Sequence, residues 1–100
     1  NVYPAEVENA LYSHPKVADV AVIGVPDPKW GEAVKACVVV KAGEDLTEAE
    51  LIAHARTLIA GYKCPKSVDF IPALPRNPSG KILRRELRAP YWSGKDRAVN

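Results

Sequence analysis

The 100-residue sequence contains no methionine, one phenylalanine and two cysteines. Two cysteines cannot supply the disulfide framework of a small secreted domain, and free thiols favour a reducing compartment such as the cytoplasm. Neither Cys37 nor Cys64 has a histidine at the spacing of a metal site or of a cysteine nucleophile, so we expect both to be structural. His14 and His54 are equally isolated, and the sequence therefore predicts no metal site.

Net charge is low, and long hydrophobic runs are missing. Lysine and arginine total 14 against 12 acidic residues, and this formal charge of +2 does not by itself indicate nucleic-acid binding. No apolar run approaches the roughly 20 residues that cross a bilayer, and the first residues do not resemble a signal peptide. The remaining composition, 47% hydrophobic and 26% charged, is typical of one globular domain. Because the sequence opens without methionine, we expect it to be part of something longer.

The first half of the sequence predicts a helix followed by two strands. Pro4 suits the first position of a helix, and that helix should end before Pro15. Residues 17–25 and 34–40 are β-branched, mostly apolar runs that are typical of buried strands. Residues 26–32, which include two prolines and a glycine, predict the loop between them.

The second half begins with a clear helix signal. Thr47 and Glu50 have the spacing of a capping box, in which each side chain satisfies a free backbone N–H. Gly61 is expected to end this helix, since glycine adopts the left-handed conformation at low cost. The residues expected on its buried face are Leu51, Ile52, Ala55, Leu58 and Ile59.

A short strand at 68–71, a proline-rich loop at 72–80 and a short last helix with Ile82, Leu83 and Leu87 turned inward complete the domain. The tail at 89–100 shows no periodicity, so we expect an irregular segment after a domain that spans residues 1–88. The order of elements predicts an α+β fold, an α/β sandwich in which helices flank a small sheet of about three strands.

The loop at 74–81 offers the strongest candidate for chemistry. Gly80 allows the backbone to turn sharply beside a ligand, and Lys81 stands at the exit of the loop, near the expected start of a helix. A lysine there can bring a point charge to a phosphate or carboxylate. The loop is not a Walker motif, because Pro75 stands where the first glycine is required.

The pattern Pro75-x-x-x-x-Gly80-Lys81 resembles the last core motif of the adenylate-forming superfamily, which includes acyl-CoA ligases, peptide-synthetase adenylation domains and firefly-type luciferases. Three further segments resemble blocks of the same superfamily in the right order, so the similarity covers residues 1 to about 88. These segments are 1–8, 26–40 with its Trp30-Gly31-Glu32, and 61–65.

This resemblance implies an ATP-dependent, AMP-forming ligase that joins a carboxylic acid to coenzyme A through an acyl-adenylate. Lys81 matches the lysine that serves adenylation in the superfamily, and Gly80 precedes it at the nucleotide. Asn1 matches a position where relatives contact the adenylate phosphate, although an ordinary turn residue is an equal alternative. The resemblance implies an amino-terminal domain as the partner that binds ATP, the acid and Mg²⁺. The chain alone should be inactive and bind no cofactor.

The resemblance also implies that a second face of the domain meets the phosphates and pantetheine of coenzyme A. Arg56 and Lys63 are the expected phosphate ligands, and Lys66 is a weaker choice. Trp30 could line the pantetheine route, although packing against the edge of its own domain is the simpler expectation. Surface solubilisation is the competing interpretation of the cations.

Two alternatives to a coenzyme A ligase stay open. One is an adenylation domain that loads the phosphopantetheine of a carrier protein. The other is a non-enzymatic module that uses the basic cluster Lys81, Arg84, Arg85 and Arg88, with Lys81 and Arg85 on one helical face, to bind nucleic acid or anionic lipid. Glu86 interrupts this cluster, so we expect no nucleic-acid partner, and nothing else supports a peripheral membrane contact. Residues 90–97 resemble the ends of actinobacterial fatty-acyl-CoA ligases, which suggests a fatty acid as substrate.

Overall fold

A three-stranded sheet with helices on both faces forms in the computed structural model, which describes the backbone of residues 3–99 and the side chains of residues 3–93. The α+β prediction is therefore confirmed. In chain order the elements are α1 (Pro4–Tyr12), β1 (Val17–Asp27), β2 (Gly31–Val40), α2 (Glu48–Arg56), a 3-10 turn (Gly61–Lys63), β3 (Ser67–Phe70) and α3 (Arg84–Val99).

The strand order is β1-β2-β3, with β2 in the centre. β1 pairs antiparallel with β2, and β3 pairs parallel to β2 from the register of Ser67 with Lys35. The expected loop at 26–32 is wrong, because the two strands continue until Asp27 faces Gly31. Asp27 Oδ1 accepts the N–H groups of both Lys29 and Trp30 at 2.8 Å, and Gly31 has a φ of 83°, so three residues suffice for the turn.

Alternate residues of the sheet enter two separate cores. Val20 and Val22 of β1 face α1 and α2, whereas Ala21 and Ile23 face the opposite side. The second core is covered by the loop after β3 and by α3, through Leu74, Ile82, Leu87 and Tyr91. This period-two alternation explains the continuous apolar run of β1, because both faces of the strand are buried.

The capping box of α2 is confirmed. The Thr47 hydroxyl accepts the Glu50 N–H at 3.1 Å, and the Glu50 carboxylate accepts the Thr47 N–H at 3.0 Å. The expected end at Gly61 is wrong, since α2 ends at Arg56 and Gly61 opens the 3-10 turn without a positive φ. Leu58 is 53% exposed rather than buried.

The last turn of α2 explains this early end. The Thr57 hydroxyl donates to the His54 carbonyl at 2.7 Å, and the N–H groups of Leu58 and Ile59 both reach the Ala55 carbonyl. The free carbonyls at the end of the helix are thus satisfied before Gly61 is reached.

Helix α3 corrects the prediction of an irregular tail, since it runs from Arg84 to Val99 and includes Pro90. Tyr91 donates its hydroxyl to Asp69 of β3, and Trp92 Nε1 donates to the Gly24 carbonyl of β1 at 2.8 Å. Packing against the sheet thus stabilises a helix that the pattern of the tail did not predict.

The two cysteines are buried free thiols in different cores, with Cys64 on the α1 and α2 side and Cys37 on the α3 side. Their expected structural role agrees with this placement. Within residues 3–99, none of the helices combines the length and apolarity that a membrane crossing needs.

Candidate functional site

Lys81 lies in a narrow loop whose two arms are bridged. Arg76 and Ile82 form an isolated antiparallel bridge, the Asn77 N–H donates to the Lys81 carbonyl at 2.9 Å, and the Leu83 N–H donates to the Pro75 carbonyl at 2.9 Å. These bonds make the segment 75–83 a small hairpin with Lys81 on its returning arm.

The Asn77 side chain organises the interior of this hairpin. Its Oδ1 accepts the Ser79 N–H at 3.0 Å, the Ser79 hydroxyl at 2.7 Å and the Lys81 N–H at 2.9 Å. Gly80 has a φ of 91°, a region that other residues adopt at a cost, so the expected sharp turn at Gly80 is confirmed. The backbone of Lys81 is therefore fixed from inside the loop.

Arg76 attaches the hairpin to the sheet. Its Nη1 donates to the Gly80 carbonyl at 2.7 Å, and its Nη2 donates to Asp19 Oδ2 of β1 at 2.6 Å. Tyr12 donates its hydroxyl to the other oxygen of Asp19. Burial favours a higher pKa for Asp19, but hydrogen bonds from Arg76, Tyr12 and the Val20 N–H outweigh it and hold the pKa below its usual value. Asp19 is therefore a carboxylate at neutral pH.

The side chain of Lys81 is exposed, and its ammonium forms no hydrogen bond or ion pair within residues 3–93. Lys81 lies near the start of a helix, as expected, but outside it, because α3 begins three residues later, at Arg84. Lys81 and Arg85 therefore do not share a helical face. The domain presents the lysine at the edge of a braced loop, available to a ligand outside the chain.

The residues expected to meet coenzyme A lie toward the other end of the sheet. Asp19, which holds the Lys81 hairpin, pairs in register with Val39, whereas Trp30 lies in the turn where Asp27 faces Gly31. Asp27 comes eight positions after Asp19 along β1, which corresponds to about 26 Å at roughly 3.3 Å per residue. The domain thus separates its two candidate sites by most of the length of the sheet.

Lys66 lies beside β2, and Arg56 ends α2 on the same face of the sheet as Cys64. The Lys66 N–H donates to the Val34 carbonyl near the start of β2, at 2.8 Å. Burial raises the pKa of the Cys64 thiol, and the nearby charges of Arg56 and Lys66 oppose that rise. Both cations are exposed, so each is available to an anion outside the chain.

Trp30 and Lys63 differ from what was expected of them. Trp30 is 69% exposed, with the Lys29 ammonium 5.0 Å from its ring, so the expected packing against the edge of its own domain is wrong. Lys63 Nζ donates to both oxygens of Glu6 at 3.1 and 3.2 Å, and this contact raises the pKa of Lys63. Its charge is largely neutralised within the domain.

The basic cluster is partly engaged inside the chain. Arg84 Nη1 donates to Glu8 Oε2 at 2.6 Å and to the Val22 carbonyl at 3.2 Å. The Arg88 guanidinium lies 5.2 Å from the Trp92 ring, an aromatic contact that the sequence pattern did not reveal. An open groove of about 620 Å³ follows this face and is lined by Arg84, Arg85, Arg88, Ala89, Trp92 and Ser93.

The two histidines are not isolated in space. Their ring centroids lie 4.9 Å apart, and His54 Nε2 lies 2.7 Å from the Ser13 hydroxyl. Burial, together with the nearby charges of His54 and Lys16, lowers the pKa of His14.

No cluster of three or more metal-ligating side chains occurs in the described part of the chain. Asn1, the expected phosphate contact, lies outside the described residues.

Asp19, Arg76 and Asn77 are site residues that sequence reasoning missed. Asn77 before Pro78 and Gly80 carries a turn signal that could have suggested its role. No sequence signal links Asp19 to Arg76, which are 57 positions apart.

Comparison with known proteins identifies the family of this chain. Residues 6–81 match the family model described as the AMP-binding enzyme C-terminal domain. A feruloyl-CoA synthase from an Amycolatopsis species is 58% identical over 91% of this chain and 18% of its own length. A fatty acid–[acyl-carrier-protein] ligase from Streptomyces coeruleorubidus is 49% identical over the whole chain and 19% of its own length.

Solved structures give the same result. A Mycobacterium tuberculosis fatty acyl CoA synthetase is 48% identical with a TM-score of 0.86, over 94% of this chain and 18% of that one. ATP-bound MatB from Rhodopseudomonas palustris is 41% identical with a TM-score of 0.86, over 91% of this chain and 18% of that one. The chain thus spans less than a fifth of the length of these relatives. On its sequence and its fold, the chain belongs to the AMP-binding enzyme C-terminal domain family.

Proposed function

We propose that this chain is the small domain of an AMP-forming acyl-CoA ligase and that it supplies Lys81 to the adenylation step. The observation that carries the proposal is a lysine held on a braced loop with no partner for its ammonium in the described part of its own domain. The partner is the amino-terminal domain of the same protein, which binds ATP, the carboxylic acid and Mg²⁺.

The chemistry assigned to Lys81 is electrostatic. In the first half-reaction the acid carboxylate attacks the α-phosphorus of ATP, an acyl-adenylate forms and pyrophosphate leaves. Both reacting groups are anionic, so a cation between the carboxylate and the α-phosphate relieves their repulsion and positions them. Lysine suits this role because its ammonium is a compact point charge and no proton transfer is required. Gly80 and Asn1 are proposed to lie beside the same phosphate.

Two sites at separate ends of one small sheet support a domain that works in two poses. With the Lys81 hairpin at the nucleotide, the turn that carries Trp30 lies at the far end of β1, about 26 Å along the strand from the Asp19 that holds the hairpin. A rotation of the whole domain would exchange one end for the other between half-reactions. In the second pose the thiol of coenzyme A attacks the acyl carbon and AMP leaves. We assign the phosphates of coenzyme A to Arg56 and Lys66, and the pantetheine route to Trp30.

Lys63 also belongs to this end of the domain, but Glu6 holds its ammonium. We therefore propose that Lys63 supports the coenzyme A surface through α1, and that Arg56 and Lys66 make the phosphate contacts.

Replacing both Arg56 and Lys66 with alanine in the full-length ligase should raise the KM for coenzyme A by at least about tenfold. A charge-assisted hydrogen bond contributes about 1.5–3 kcal/mol, and 1.4 kcal/mol corresponds to tenfold. The rate of acyl-adenylate formation should not change. Lys41→Ala, an exposed lysine at the other end of the sheet, is the matched control. An unaltered KM for coenzyme A in the double variant would contradict the assignment.

The acid is proposed to be a fatty acid, on the resemblance of residues 90–97 to fatty-acyl-CoA ligases. The relatives above are named for ferulic acid and for fatty acids although each is about half identical to this chain. This difference favours a specificity pocket in the amino-terminal domain. A panel of fatty and aromatic acids offered to the full-length ligase would identify the substrate.

A carrier protein is the second candidate for the acyl acceptor. It is favoured by the relative named as an acyl-carrier-protein ligase, which matches this chain over its whole length. Coenzyme A and the carrier protein both present a phosphopantetheine thiol, so Trp30 would serve either. Thioester formation on a carrier protein, with none on coenzyme A, would select this alternative. The two buried free thiols support a cytoplasmic location for either enzyme.

The isolated 100-residue chain should catalyse no ATP–pyrophosphate exchange with any acid, because the binding site for ATP belongs to the amino-terminal domain. The full-length ligase should catalyse this exchange in the absence of coenzyme A. Exchange by the purified chain alone would contradict the division of labour between the two domains.

A further inference from the structure

We propose that Asp19 and Arg76 are positioning residues for the adenylation half-reaction, which they serve by fixing the Lys81 hairpin on the sheet. The inference rests on the proposed function of Lys81. The main observation behind it is that the Arg76 guanidinium donates one hydrogen bond to the Gly80 carbonyl and another to the Asp19 carboxylate.

The bonds inside the hairpin do not determine where its tip lies. The Asn77 side chain folds the loop upon itself, and Leu74 and Ile82 anchor its two arms in the second core. The hydrogen bonds that the side chains of residues 77–81 form all have their partners within the loop. The Arg76 guanidinium adds a hydrogen-bonded link from Gly80, on the opposite side of Lys81 from Ile82, to Asp19 of β1.

Asp19 is itself held in one orientation. The Tyr12 hydroxyl of α1 and the Val20 N–H, at 3.0 Å, both donate to Oδ1, which leaves Oδ2 for Arg76. The lowered pKa of Asp19 agrees with an ionised carboxylate at this position. A continuous set of contacts therefore runs from α1 through β1 and Arg76 to the backbone beside Lys81.

This attachment of the hairpin matters because the stabilisation of a transition state by a charge depends on the position of that charge relative to the reacting groups. A misplacement of about 1 Å can lower a rate about a hundredfold. Lysine at position 76 would keep the charge but could not reach both acceptors with a planar fork. A simple surface ion pair would contribute little to stability and would not distinguish one half-reaction from the other.

The test uses the full-length ligase with Asp19→Asn, Arg76→Gln, Arg76→Lys and the double variant D19N/R76Q. We expect Asp19→Asn and Arg76→Gln to slow acyl-adenylate formation about tenfold to a hundredfold, and Arg76→Lys to recover part of the loss. Thioester formation from supplied acyl-adenylate should not change. The double variant should be no slower than the worse single variant, because both substitutions break the same connection. Lys41→Gln, at the same end of the sheet, controls for the loss of a surface charge.

Adenylation at the normal rate in both single variants would overturn the proposal. An equal fall in both half-reactions would do so too, because it would indicate a general loss of fold.

Hydrogen exchange separates this proposal from the assignment of Lys81. The Lys81 amide bonds to Asn77 Oδ1, so its exchange in the full-length ligase reports the order of the hairpin without any chemistry. Faster exchange at 77–82 in Asp19→Asn and Arg76→Gln would support the role of the Asp19–Arg76 contact in ordering the hairpin. This support would stand even if Lys81→Ala leaves adenylation intact and the assignment of Lys81 fails. Unchanged exchange in these two variants would overturn the proposal that Asp19 and Arg76 fix the hairpin, whatever the effect of Lys81→Ala.

Discussion

Replacing Lys81 with alanine in the full-length ligase should lower the rate of acyl-adenylate formation by about 10²–10³-fold and leave thioester formation from supplied acyl-adenylate unchanged. Removal of one preorganised group that stabilises developing charge commonly costs a factor of this size. The side chain of Lys81 makes no hydrogen bond within residues 3–93. Its loss should therefore remove a contact to substrate without disturbing the fold of the domain.

The two half-reactions should be measured separately. One assay follows acyl-adenylate from acid and ATP, and the other follows thioester from acyl-adenylate and coenzyme A. Lys41→Ala removes another exposed lysine at the same end of the sheet and should leave both rates unchanged.

If Lys81→Ala leaves adenylation intact, the motif match is misleading. Binding of an anionic partner by the arginines of α3 then becomes the hypothesis to pursue. That hypothesis is weaker than the sequence suggested, because Glu8 already neutralises Arg84.

Local sequence signals predicted the features that depend on neighbouring residues. Pro4 begins α1, Thr47 and Glu50 cap α2, and Gly80 has the positive φ that its turn requires. In each case the determining contacts lie within four residues, where residue type and spacing carry the information. The assignment of Lys81 came from the same kind of local pattern, extended by resemblance to a family.

The irregular tail and the unnoticed role of Asp19 are failures that concern contacts between distant residues. The tail at 89–100 was expected to be irregular because it shows no periodicity, yet Tyr91 and Trp92 bond to strands of the sheet. The ion pair between Asp19 and Arg76 joins positions that are 57 apart. Such contacts exist only after the sheet has formed, so one sequence without a structure cannot indicate them.

Helix α2 shows where the hydrophobic periodicity of the sequence stops predicting burial. Leu51 and Leu58 are seven positions apart and were both expected on the buried face. Leu51 is fully buried in the first core, whereas Leu58 lies past the end of the helix and is 53% exposed. Two identical side chains from one predicted face therefore form a matched pair for mutation.

Leu51→Ala should lower the free energy of unfolding of the 100-residue chain by about 2–5 kcal/mol, because a large buried side chain leaves a cavity that its neighbours fill only partly. Leu58→Ala should cost about 1 kcal/mol or less, since only about half of that side chain leaves water on folding and no enclosed cavity forms. A domain of this size is stable by only about 5–15 kcal/mol, so the first variant should show a much lower urea midpoint than the second. Equal losses would mean that α2 continues to Leu58 and would restore the helix end expected at Gly61.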